Sequence, residues 1–334
     1  MSDAQDVILN ILKDGNFHSG ESLGEALGCS RTAVWKQLQK LDILGLDIES
    51  IKGTGYRVAG GFELLQAQLI KSQLTELASA ELADLEVFKS IDSTNKYARE
   101  KAEQARASGS IVLAEQQSAG RGRRGKTWVS PFAANIYLSI VWDFEQGAQA
   151  LEGLSLAVGV AVKRALNAQG VHGIQLKWPN DIYVEGKKLG GILLEMIGDP
   201  AGHCSVIVGV GINVAMPETQ GSDIDQEWTD IRSQLQQSVD RKNHRPSRNK
   251  LAAALISEIV LLLRDFQAYG FSMYRDEWQA ADAFYGQEAV ISTPKLSITG
   301  VVKGVDKNGA LRLQLENGKI ETFIGGELSL RLSQ

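Results

Sequence analysis

The stretch KWPNDIYVEGKKLGGILLE, residues 177–195, has the pattern of a strand, a tight turn and a returning strand. Asn180-Asp181 opens the first strand, Gly186 forms the turn and Lys188 begins the return. Most hairpin lysines face solvent. Here Gly190-Gly191 follows closely, and glycines in a strand leave space for another group to approach. The stretch therefore predicts a sheet hairpin that borders a ligand cavity.

Short apolar runs alternate with longer helical patterns on both sides of this hairpin. Residues 136–142 and 182–184 have the composition of strands, whereas residues 151–166 have the spacing of a helix. Such alternation is typical of a sheet covered by helices. We therefore predict a central α/β domain over residues 82–285.

Residues 286–334 have a different sequence pattern, with short predicted strands separated by turns. Asn308-Gly309 and Asn317-Gly318 are strong hairpin signals, because the Asn-Gly pair suits the tight turns between antiparallel strands. The predicted strands are residues 289–291, 298–302, 311–315 and 320–323. They indicate a small SH3-like β-barrel, which must pack against its neighbour to bury enough apolar surface.

Residues 1–60 have the pattern of a winged helix-turn-helix. Apolar residues recur at three- and four-residue steps in two helices, and a third helix follows an N-cap at Ser30. On the third helix we expect one apolar face, formed by Val34, Trp35, Leu38 and Leu41. Alternating residues around the turn at 52–55 then predict a β-hairpin, the wing. A linker helix is expected over residues 61–81.

The polar face of the third helix and the wing carry the residues expected to contact DNA. The first sixty residues contain six Lys or Arg against eight Asp or Glu, so their overall charge does not favour DNA. The cations nevertheless concentrate where phosphates would lie. The candidate DNA contacts are Ser30, Arg31, Thr32, Lys36, Gln37, Lys40 and Lys52. A protein-interaction module of the same fold is the alternative.

The composition of the 334-residue chain excludes several classes of protein. With 43% hydrophobic and 22% charged residues it is typical of a globular protein, and its length predicts two or three domains. The longest apolar stretch, Leu251–Leu263, contains Ser257 and Glu258 and is too short to span a bilayer. The N-terminus lacks the pattern of a signal peptide, so we expect a cytoplasmic protein without a membrane partner.

The cysteines and histidines argue against a disulfide framework and against metal sites built from them. Cys29 and Cys204 are far apart, and the four histidines are scattered. The formal net charge of −5 opposes nucleic-acid binding overall. Any such affinity must therefore come from local patches.

The segment GRGRRGK, residues 120–126, has four cations and three glycines in seven positions. Glycine backbones can approach a phosphate closely, and arginines donate paired hydrogen bonds to its oxygens. The segment is not a Walker A loop, because GxxxxGK[ST] does not occur there. A solvated flexible loop and an RGR segment inserted into a DNA minor groove are the alternatives to nucleotide binding.

Two weaker motifs complete the set. DSTN, residues 92–95, places hydroxyl and amide groups at the start of a helix that begins near Lys96, although a simple N-cap would explain it equally well. GVGIN, residues 209–213, is a glycine-rich strand end that a nucleotide could approach. Neither motif is specific by itself.

Together, the motifs DSTN, GRGRRGK, KWPNDIY, KKLGGILLE, GVGIN and a terminal GGE at residues 325–327 resemble those of biotin protein ligases. The resemblance spans essentially the whole chain and gains its specificity from the order and spacing of the motifs. With the winged helix included, the chain is similar to the bifunctional bacterial form, which is both ligase and biotin operon repressor. The implied fold is multidomain α+β: an N-terminal winged helix-turn-helix, a central class II synthetase-like α/β catalytic domain with a mixed sheet, and a C-terminal SH3-like β-barrel.

The resemblance implies two half-reactions. The biotin carboxylate attacks the α-phosphate of ATP, which gives biotinyl-5'-adenylate and pyrophosphate. A lysine of the biotin carboxyl carrier protein of acetyl-CoA carboxylase then attacks the adenylate. Magnesium accompanies the ATP, near Asp181, and the protein supplies no metal-ligand set of its own. This chemistry needs positioning and charge neutralisation but no enzyme nucleophile, so the scarcity of Cys and His is compatible with it.

The resemblance also implies the residues of the site. Lys188 is the first choice for catalysis, together with Arg123, because both would neutralise the carboxylate and the phosphate as these approach. The implied biotin-binding residues are Ser93, Thr94, Asn95, Gln117, Arg121, Gly122, Arg123 and Lys188. The implied nucleotide-binding residues are Arg121, Arg124, Lys126, Trp128, Lys177, Asn180, Asp181, Asn213 and Arg331.

One position departs from the family pattern, because Lys126 stands where the family loop commonly ends in arginine. Lysine keeps the charge but lacks the bidentate fork, so we expect weaker retention of the adenylate. In this family the adenylate is also the corepressor: it favours a homodimer through the central sheet, which pairs two winged helices on palindromic operator DNA. A looser loop would lower the coupling between adenylate and dimer.

Three other functions remain compatible with the sequence. The first is a ligase whose winged helix no longer regulates, and the second is a lipoate or octanoate protein ligase of similar fold. The third is a ligand-sensing transcription factor without enzyme activity. The GRGRRGK and KWPND segments favour biotin over lipoate.

Overall fold

The computed structural model describes residues 3–41, 44–104, 107–145, 147, 151–199, 201–222, 224–237, 246–292, 297–325 and 328–332. Within these residues the chain forms a small helical part with a hairpin, a central α/β part and a C-terminal β part. The predicted multidomain fold with a mixed central sheet is confirmed. Gly326 and Glu327 of the GGE motif lie outside the described residues.

The N-terminal part is a winged helix-turn-helix, as predicted. Its elements are α1 (Asp3–Leu12), α2 (Gly20–Leu27), α3 (Arg31–Leu41), β1 (Ile48–Ile51) and β2 (Gly55–Val58). Strands β1 and β2 pair antiparallel and form the wing. The Ser30 hydroxyl accepts a hydrogen bond from the Ala33 amide at 3.3 Å, which confirms Ser30 as the N-cap of α3.

One predicted core residue of α3 lies on the other side of the helix. Val34, Leu38 and Leu41 are buried, but Trp35 is 48% exposed. An α-helix has about 3.6 residues per turn, so Val34, Leu38 and Leu41 form one stripe and Trp35 is rotated away from it by about 100°. The prediction that Trp35 faces the core is therefore wrong.

The linker contains two short helices, α4 (Ala67–Lys71) and α5 (Glu76–Ala80), rather than the single helix predicted over residues 61–81. Thr75 precedes α5, and its hydroxyl accepts a hydrogen bond from the Ala78 amide at 3.3 Å. This N-cap starts a new helix within the segment. The prediction of one continuous helix is wrong for that reason.

A buried ion pair of the central domain also contacts the linker. The Arg248 guanidinium lies 2.7 Å from the Glu115 carboxylate, and both side chains are almost fully buried. Arg248 also donates hydrogen bonds to the backbone carbonyls of Glu63 and Asn135. Breaking such a pair leaves one charge buried and unpaired, which is strongly destabilising. The hydrogen bond to the Glu63 carbonyl therefore ties the linker to a buried, charged group of the central domain.

The central sheet has seven strands and contains the hairpin predicted from residues 177–195. Its strands are β3 (Asp84–Phe88), β4 (Ser110–Ala114), β5 (Ile136–Phe144), β6 (Ile174–Lys177), β7 (Asp181–Val184), β8 (Lys187–Gly198) and β9 (Cys204–Ile212). They lie in the order β3-β4-β5-β9-β8-β7-β6. Strands β3 and β4 pair in parallel and the other neighbours pair antiparallel. The hairpin is β7–β8.

Helices lie on both faces of this sheet. Helix α6 (Thr94–Gln104) packs on one face, and α7 (Leu154–Ala168) and α10 (Arg248–Tyr269) pack on the other. The same part of the chain also contains α8 (Glu218–Gly221), α9 (Ile231–Gln237) and α11 (Arg275–Ala280). Side chains alternate along a strand, and on β4 Ile111 and Leu113 join the main core with α7 and α10, whereas Val112 packs with Ala98 of α6. No helix among the described residues combines the length and the apolar character that a membrane span requires.

The C-terminal part is one antiparallel sheet that shares its core with the central domain. Its strands are β10 (Glu288–Ser292), β11 (Ser297–Val305), β12 (Leu311–Gln314), β13 (Ile320–Phe323) and β14 (Ser329–Leu332), in the order β13-β12-β11-β10-β14. Ile291, Val302 and Leu313 belong to the same buried cluster as α7 and α10. The expectation that this small domain packs against its neighbour is confirmed.

Candidate functional site

A cavity of about 570 Å³ lies beside strands β5, β8 and β9 of the central sheet. Its wall combines residues from the start of α6, the segment before β5, the β7–β8 hairpin, the end of β9 and strand β14. These parts are far apart in sequence, so only the folded chain assembles them. Seven Lys or Arg and two Asp line the cavity, which gives it a positive potential suited to an anionic ligand.

A network of hydroxyl and amide groups forms one side of the cavity. The amide and the hydroxyl of Thr94 both donate to Gln117 Oε1, at 2.8 and 3.1 Å. Ser139 Oγ on β5 lies 2.9 Å from Thr94 Oγ1 and 2.6 Å from Asn95 Oδ1. Ser93, Thr94 and Asn95 are all buried. The residues that start α6 therefore also supply fixed hydrogen-bonding groups to the cavity.

Glu195 on β8 holds Arg121 and Asn95 in place. Its carboxylate accepts hydrogen bonds from Arg121 Nη2 at 2.9 and 3.0 Å and from Asn95 Nδ2 at 2.8 Å. Gly209 on β9 permits this arrangement, because a Cβ at that position would collide with the Asn95 side chain. The charge-assisted pair orients the Arg121 guanidinium at the cavity wall.

Arg123 is held in the cavity wall by an amide. Arg123 Nη1 donates to Asn180 Oδ1 at 3.0 Å, and Asn180 Nδ2 donates to the Ile192 carbonyl at 2.7 Å. Burial lowers the pKa of the Arg123 guanidinium, and the Asp181 carboxylate opposes that shift. Arginine stays protonated in proteins even so. The fold thus keeps a permanent positive charge at this point.

Lys188 and Asp181 form a close ion pair. Lys188 Nζ lies 2.7 Å from Asp181 Oδ1, and each side chain is only 15% exposed. Lys177 Nζ lies 4.0 Å from the same carboxylate. Burial lowers the pKa of Lys177, an effect that Asp181 opposes. Because two ammonium groups share one carboxylate, a bound anion would be stabilised here.

Trp128 and Asn213 bring unpaired polar atoms to the cavity. Trp128 packs so closely over Gly211 that a Cβ there would lie 2.6 Å from the indole. Among the described residues, neither Trp128 Nε1 nor Asn213 Oδ1 has a hydrogen-bond partner, although both atoms are buried. Such atoms are costly unless a ligand pairs with them. One donor and one acceptor are therefore available to a bound molecule.

The GRGRRGK segment is an ordered turn in the cavity wall. The Gly122 amide donates to the Lys126 carbonyl at 2.7 Å, and residues 123–125 form a 3-10 turn. Arg124 has φ 59°, a left-handed conformation that is uncommon for residues other than glycine. Lys126 Nζ lies 3.9 Å from Asp225 Oδ2, and both side chains are largely exposed. The segment borders the cavity and belongs to the central domain, not to the winged helix.

Within the described ranges there is no group of three or more His, Cys, Asp or Glu side chains that could hold a metal ion. The carboxylates that line the cavity belong to Asp181, which is paired with Lys188, and to the exposed Asp225. Magnesium at nucleotide sites is held by one or two carboxylates together with substrate phosphates. The residues present therefore suit a magnesium ion that enters with a nucleotide.

Most of the predicted DNA contacts are exposed on the winged helix. Ser30, Arg31, Thr32, Lys36 and Lys40 are exposed at the start of α3 and along it, and Lys52 is exposed in the wing. Gln37 differs, because it is half-buried. Helix α3 contains no acidic residue. It therefore presents a basic surface to solvent.

Three regions of the chain match known protein families. Residues 87–213 match the biotin/lipoate A/B protein ligase family, residues 4–57 match an HTH domain, and residues 287–331 match the biotin protein ligase C-terminal domain. The bifunctional ligase/repressor BirA of Escherichia coli (strain K12) is 38% identical over 327 residues, which cover 98% of this chain and 97% of that protein. The chain belongs to the biotin protein ligase family. BirA of Bacillus spizizenii is 33% identical over 307 residues, which cover 90% of each chain.

A solved structure of this family has the same fold. The biotin protein ligase of Aquifex aeolicus, in complex with biotin and ATP, superimposes with a TM-score of 0.63 at 28% identity, and covers 75% of this chain and 100% of its own. The match to the two bifunctional BirA relatives includes the helix-turn-helix domain, because it covers 98% and 90% of this chain. This family member is therefore a biotin protein ligase joined to a helix-turn-helix domain.

All the predicted biotin and nucleotide residues line this one cavity, including Arg331 of β14. Two residues that hold them, Glu195 and Ser139, and one further lining residue, Trp228, could not be predicted from the sequence. Glu195 lies in a quoted motif, but nothing in the sequence pairs it with Arg121. Ser139 is a single hydroxyl in an apolar strand, and a buried polar residue of this kind is a weak signal for a site. Trp228 lines the cavity from a segment without any motif.

Proposed function

We propose that this cavity attaches biotin to a lysine of the biotin carboxyl carrier protein of acetyl-CoA carboxylase, through biotinyl-5'-adenylate. The observation that carries the proposal is one continuous cavity that joins a neutral hydrogen-bonding side to a cluster of seven cations. Biotin needs the first for its polar ring, and ATP needs the second. We assign residues 82–285 to the ligase, 286–334 to the SH3-like domain, 1–60 to DNA and 61–81 to the linker.

Biotin would lie along the hydroxyl and amide network. The partners proposed for its ring and carboxylate are Ser93, Thr94, Asn95, Gln117, Arg121, Gly122, Arg123 and Lys188. This assignment is supported by burial and by existing hydrogen bonds. Gln117, Thr94 and Ser139 already orient one another through hydrogen bonds of 2.8 to 3.1 Å. A polar group that is already oriented loses little entropy when the ligand binds.

The nucleotide would occupy the cationic side. Its proposed partners are Arg121, Arg124, Lys126, Trp128, Lys177, Asn180, Asp181, Asn213 and Arg331. The unpaired Asn213 Oδ1 can accept a hydrogen bond from an adenine amino group, and Trp128 Nε1 can donate one. Magnesium enters as part of the nucleotide substrate, with Asp181 as the nearby carboxylate.

In the first step an oxygen of the biotin carboxylate bonds to the α-phosphorus of ATP, and the bond to the β-phosphate oxygen breaks. The products are biotinyl-5'-adenylate and pyrophosphate. Two anions must approach each other, so the barrier is lowered by cations held between them. Lys188 and Arg123 are the proposed catalytic residues. Asp181 positions the Lys188 ammonium at 2.7 Å, and Asn180 positions the Arg123 guanidinium at 3.0 Å.

In the second step the neutral amine of the carrier lysine attacks the acyl carbon of the adenylate. The acyl–phosphate bond breaks, an amide forms, AMP leaves and the amine proton passes to solvent. Lys188 would stabilise the negative charge that develops on the departing phosphate. Both steps use positioning and electrostatics alone.

We further propose that the protein is a biotin operon repressor with biotinyl-5'-adenylate as corepressor, and that the adenylate-bound form is a homodimer on operator DNA. The support is the exposed basic surface of α3, next to a winged-helix hairpin. A winged helix on one subunit reads one half-site, so pairing two subunits is needed for a palindrome.

The experiment that tests the ligase proposal incubates the purified chain with biotin, ATP and magnesium, with or without a biotin-accepting carrier domain. We expect pyrophosphate release without the carrier and a mass gain of one biotin on its lysine with it. Turnover with lipoate or octanoate in place of biotin would show that the protein is a lipoate or octanoate protein ligase instead. No acyl-adenylate with any of these acids would overturn both.

Operator binding separates the repressor from a ligase whose winged helix no longer regulates. A palindromic biotin-operon duplex is titrated with the chain in the presence and absence of biotin and ATP. We expect tight binding of the adenylate-loaded chain only. Equal, weak binding in both states would support the ligase without regulation.

A further inference from the structure

Trp35 is a large aromatic side chain exposed in the middle of α3. It is 48% exposed, and the buried cluster of the winged helix contains Val34, Leu38 and Leu41 but not Trp35. Removing an indole from water is strongly favourable. Packing within the domain does not use this side chain as a core residue, so its apolar surface is available to a partner.

The exposed apolar side chains of the winged helix lie only on its DNA-facing elements. Across residues 3–41 and 44–58, the exposed large hydrophobic residues are Trp35 on α3 and Ile51 on β1 of the wing. A single exposed apolar residue needs no explanation. Here both lie on the two elements that a winged helix places on DNA, whereas α1 and α2 expose none.

The surroundings of Trp35 are basic. Arg31 lies one helical turn before it and Lys36 directly after it, and both are exposed. A second protein with an apolar patch would have to meet these cations, whereas the phosphates of a duplex complement them. The occupant that fits is therefore the major groove of DNA, whose thymine C5-methyl group is its main apolar feature.

We infer that Trp35 contacts a thymine methyl group in the operator and so helps to select its sequence. The inference rests on the proposed repressor function and adds a specificity-determining residue to it. Position 35 is in the second turn of α3, and the first half of a recognition helix supplies the contacts to base edges. A base contact should change sequence preference, while a phosphate contact should weaken all duplexes alike.

The test uses the full chain loaded with biotinyl-5'-adenylate. The wild-type protein first selects its site from a pool of randomised duplexes, and each thymine of that site is then replaced by deoxyuridine, which lacks only the methyl group. We expect one thymine whose replacement weakens wild-type binding by about threefold to tenfold. Trp35→Ala should weaken binding to the thymine duplex by a similar factor and lose sensitivity to that replacement.

Two variants and one duplex serve as controls. Trp35→Phe keeps an apolar ring and should retain the thymine preference, and Leu77→Ala removes a 50% exposed apolar side chain outside the winged helix and should bind as wild type. Binding to a scrambled duplex should change less than about twofold in Trp35→Ala. Thermal unfolding checks that each variant is folded.

Other results would overturn the inference. Trp35→Ala that keeps the wild-type response to every thymine replacement excludes a methyl contact. A loss of self-association in sedimentation velocity, with unchanged affinity per dimer for DNA, would assign Trp35 to a protein surface. If the loaded wild-type chain selects no sequence at all, the repressor proposal itself fails and the inference falls with it.

Discussion

The cavity and helix α3 both concentrate positive charge, but the protein holds that charge in different ways. In the cavity, Arg121 pairs with Glu195 and Lys188 with Asp181. On α3, the cations Arg31, Lys36 and Lys40 are exposed to solvent. A transition state needs charge already in place, because reorganisation would add to its barrier. A DNA backbone supplies its own counter-charge, so mobile surface cations suffice.

Replacing Lys188 tests whether the paired cations of the cavity are needed for catalysis, and it should have the largest effect of the changes considered. We expect Lys188→Ala to slow pyrophosphate release by about a hundredfold to a thousandfold, the range for removing one group that stabilises developing charge. Lys187→Ala is the matched control, because Lys187 is the adjacent but exposed lysine of the same strand. Equal rates for the two variants would show that position in the ion pair does not matter.

Arg123 and Arg124 make the same comparison within three residues of one turn. Arg123 donates to Asn180 in the cavity wall, whereas Arg124 is exposed. We expect Arg123→Ala to raise the KM for ATP or lower kcat by about tenfold to a hundredfold in total, as for a lost hydrogen bond to a charged group. Arg124→Ala should lower kcat/KM by a smaller factor, about threefold, because Arg124 is exposed and water screens its proposed contact with the nucleotide. The steady-state rate of adenylate formation measures both, and a reversed order would contradict the assignment.

Lys36→Ala tests whether the exposed cations of α3 contact DNA phosphates, and it should have a smaller effect. One lost phosphate contact lowers the slope of log affinity against log salt by about 0.9, and a homodimer loses two. We therefore expect a slope smaller by about 1.8, with affinity reduced by about threefold to tenfold at moderate salt. Fluorescence anisotropy with an operator duplex at several salt concentrations gives the slope. Lys250→Ala, an exposed lysine on α10, should leave it unchanged.

Lys126→Arg should have the smallest effect, because Lys126 is more exposed than the cavity cations Arg121 and Lys188. Lys126 lies 3.9 Å from Asp225 in an exposed pair, so it is held less firmly than Arg121 or Lys188. Arginine restores a bidentate fork, and we expect adenylate release to slow by about twofold to threefold. A chase experiment with unlabelled biotin measures the release rate. Lys307→Arg, in an exposed turn of the C-terminal domain, is the control, and a faster release from Lys126→Arg would contradict the expected role.

Most of the fold could be predicted because local patterns carry it. The Asn-Gly turns at residues 308–309 and 317–318 separate the strands expected, and Ser30 caps the helix expected. The errors are also local. The apolar character of Trp35 predicts a core position, but the helical period places its side chain about 100° away from the buried stripe of α3. Thr75 caps α5, so the linker contains two short helices in place of one.

The residues named from the sequence lie around one cavity, but the sequence did not predict how they are oriented there. Every residue proposed for biotin or nucleotide lines the cavity. The groups that orient them could not be predicted, because Glu195 and Arg121 meet across strands and loops that the sequence separates by 74 positions. Ser139 likewise contacts Thr94 only because α6 packs on β5 in the folded sheet.

Sequence alone determined the order of the domains, the two basic segments and the chemical types available at the site. These depend on local periodicity, turn residues and motifs, which act over a few residues. Tertiary structure decided which cations are paired and which remain free. Lys187 and Lys188 are neighbours in sequence, but the pleat of β8 turns Lys188 toward Asp181 and leaves Lys187 exposed. Long-range strand pairing sets that difference, because the position of a side chain relative to a distant partner exists only in the folded sheet.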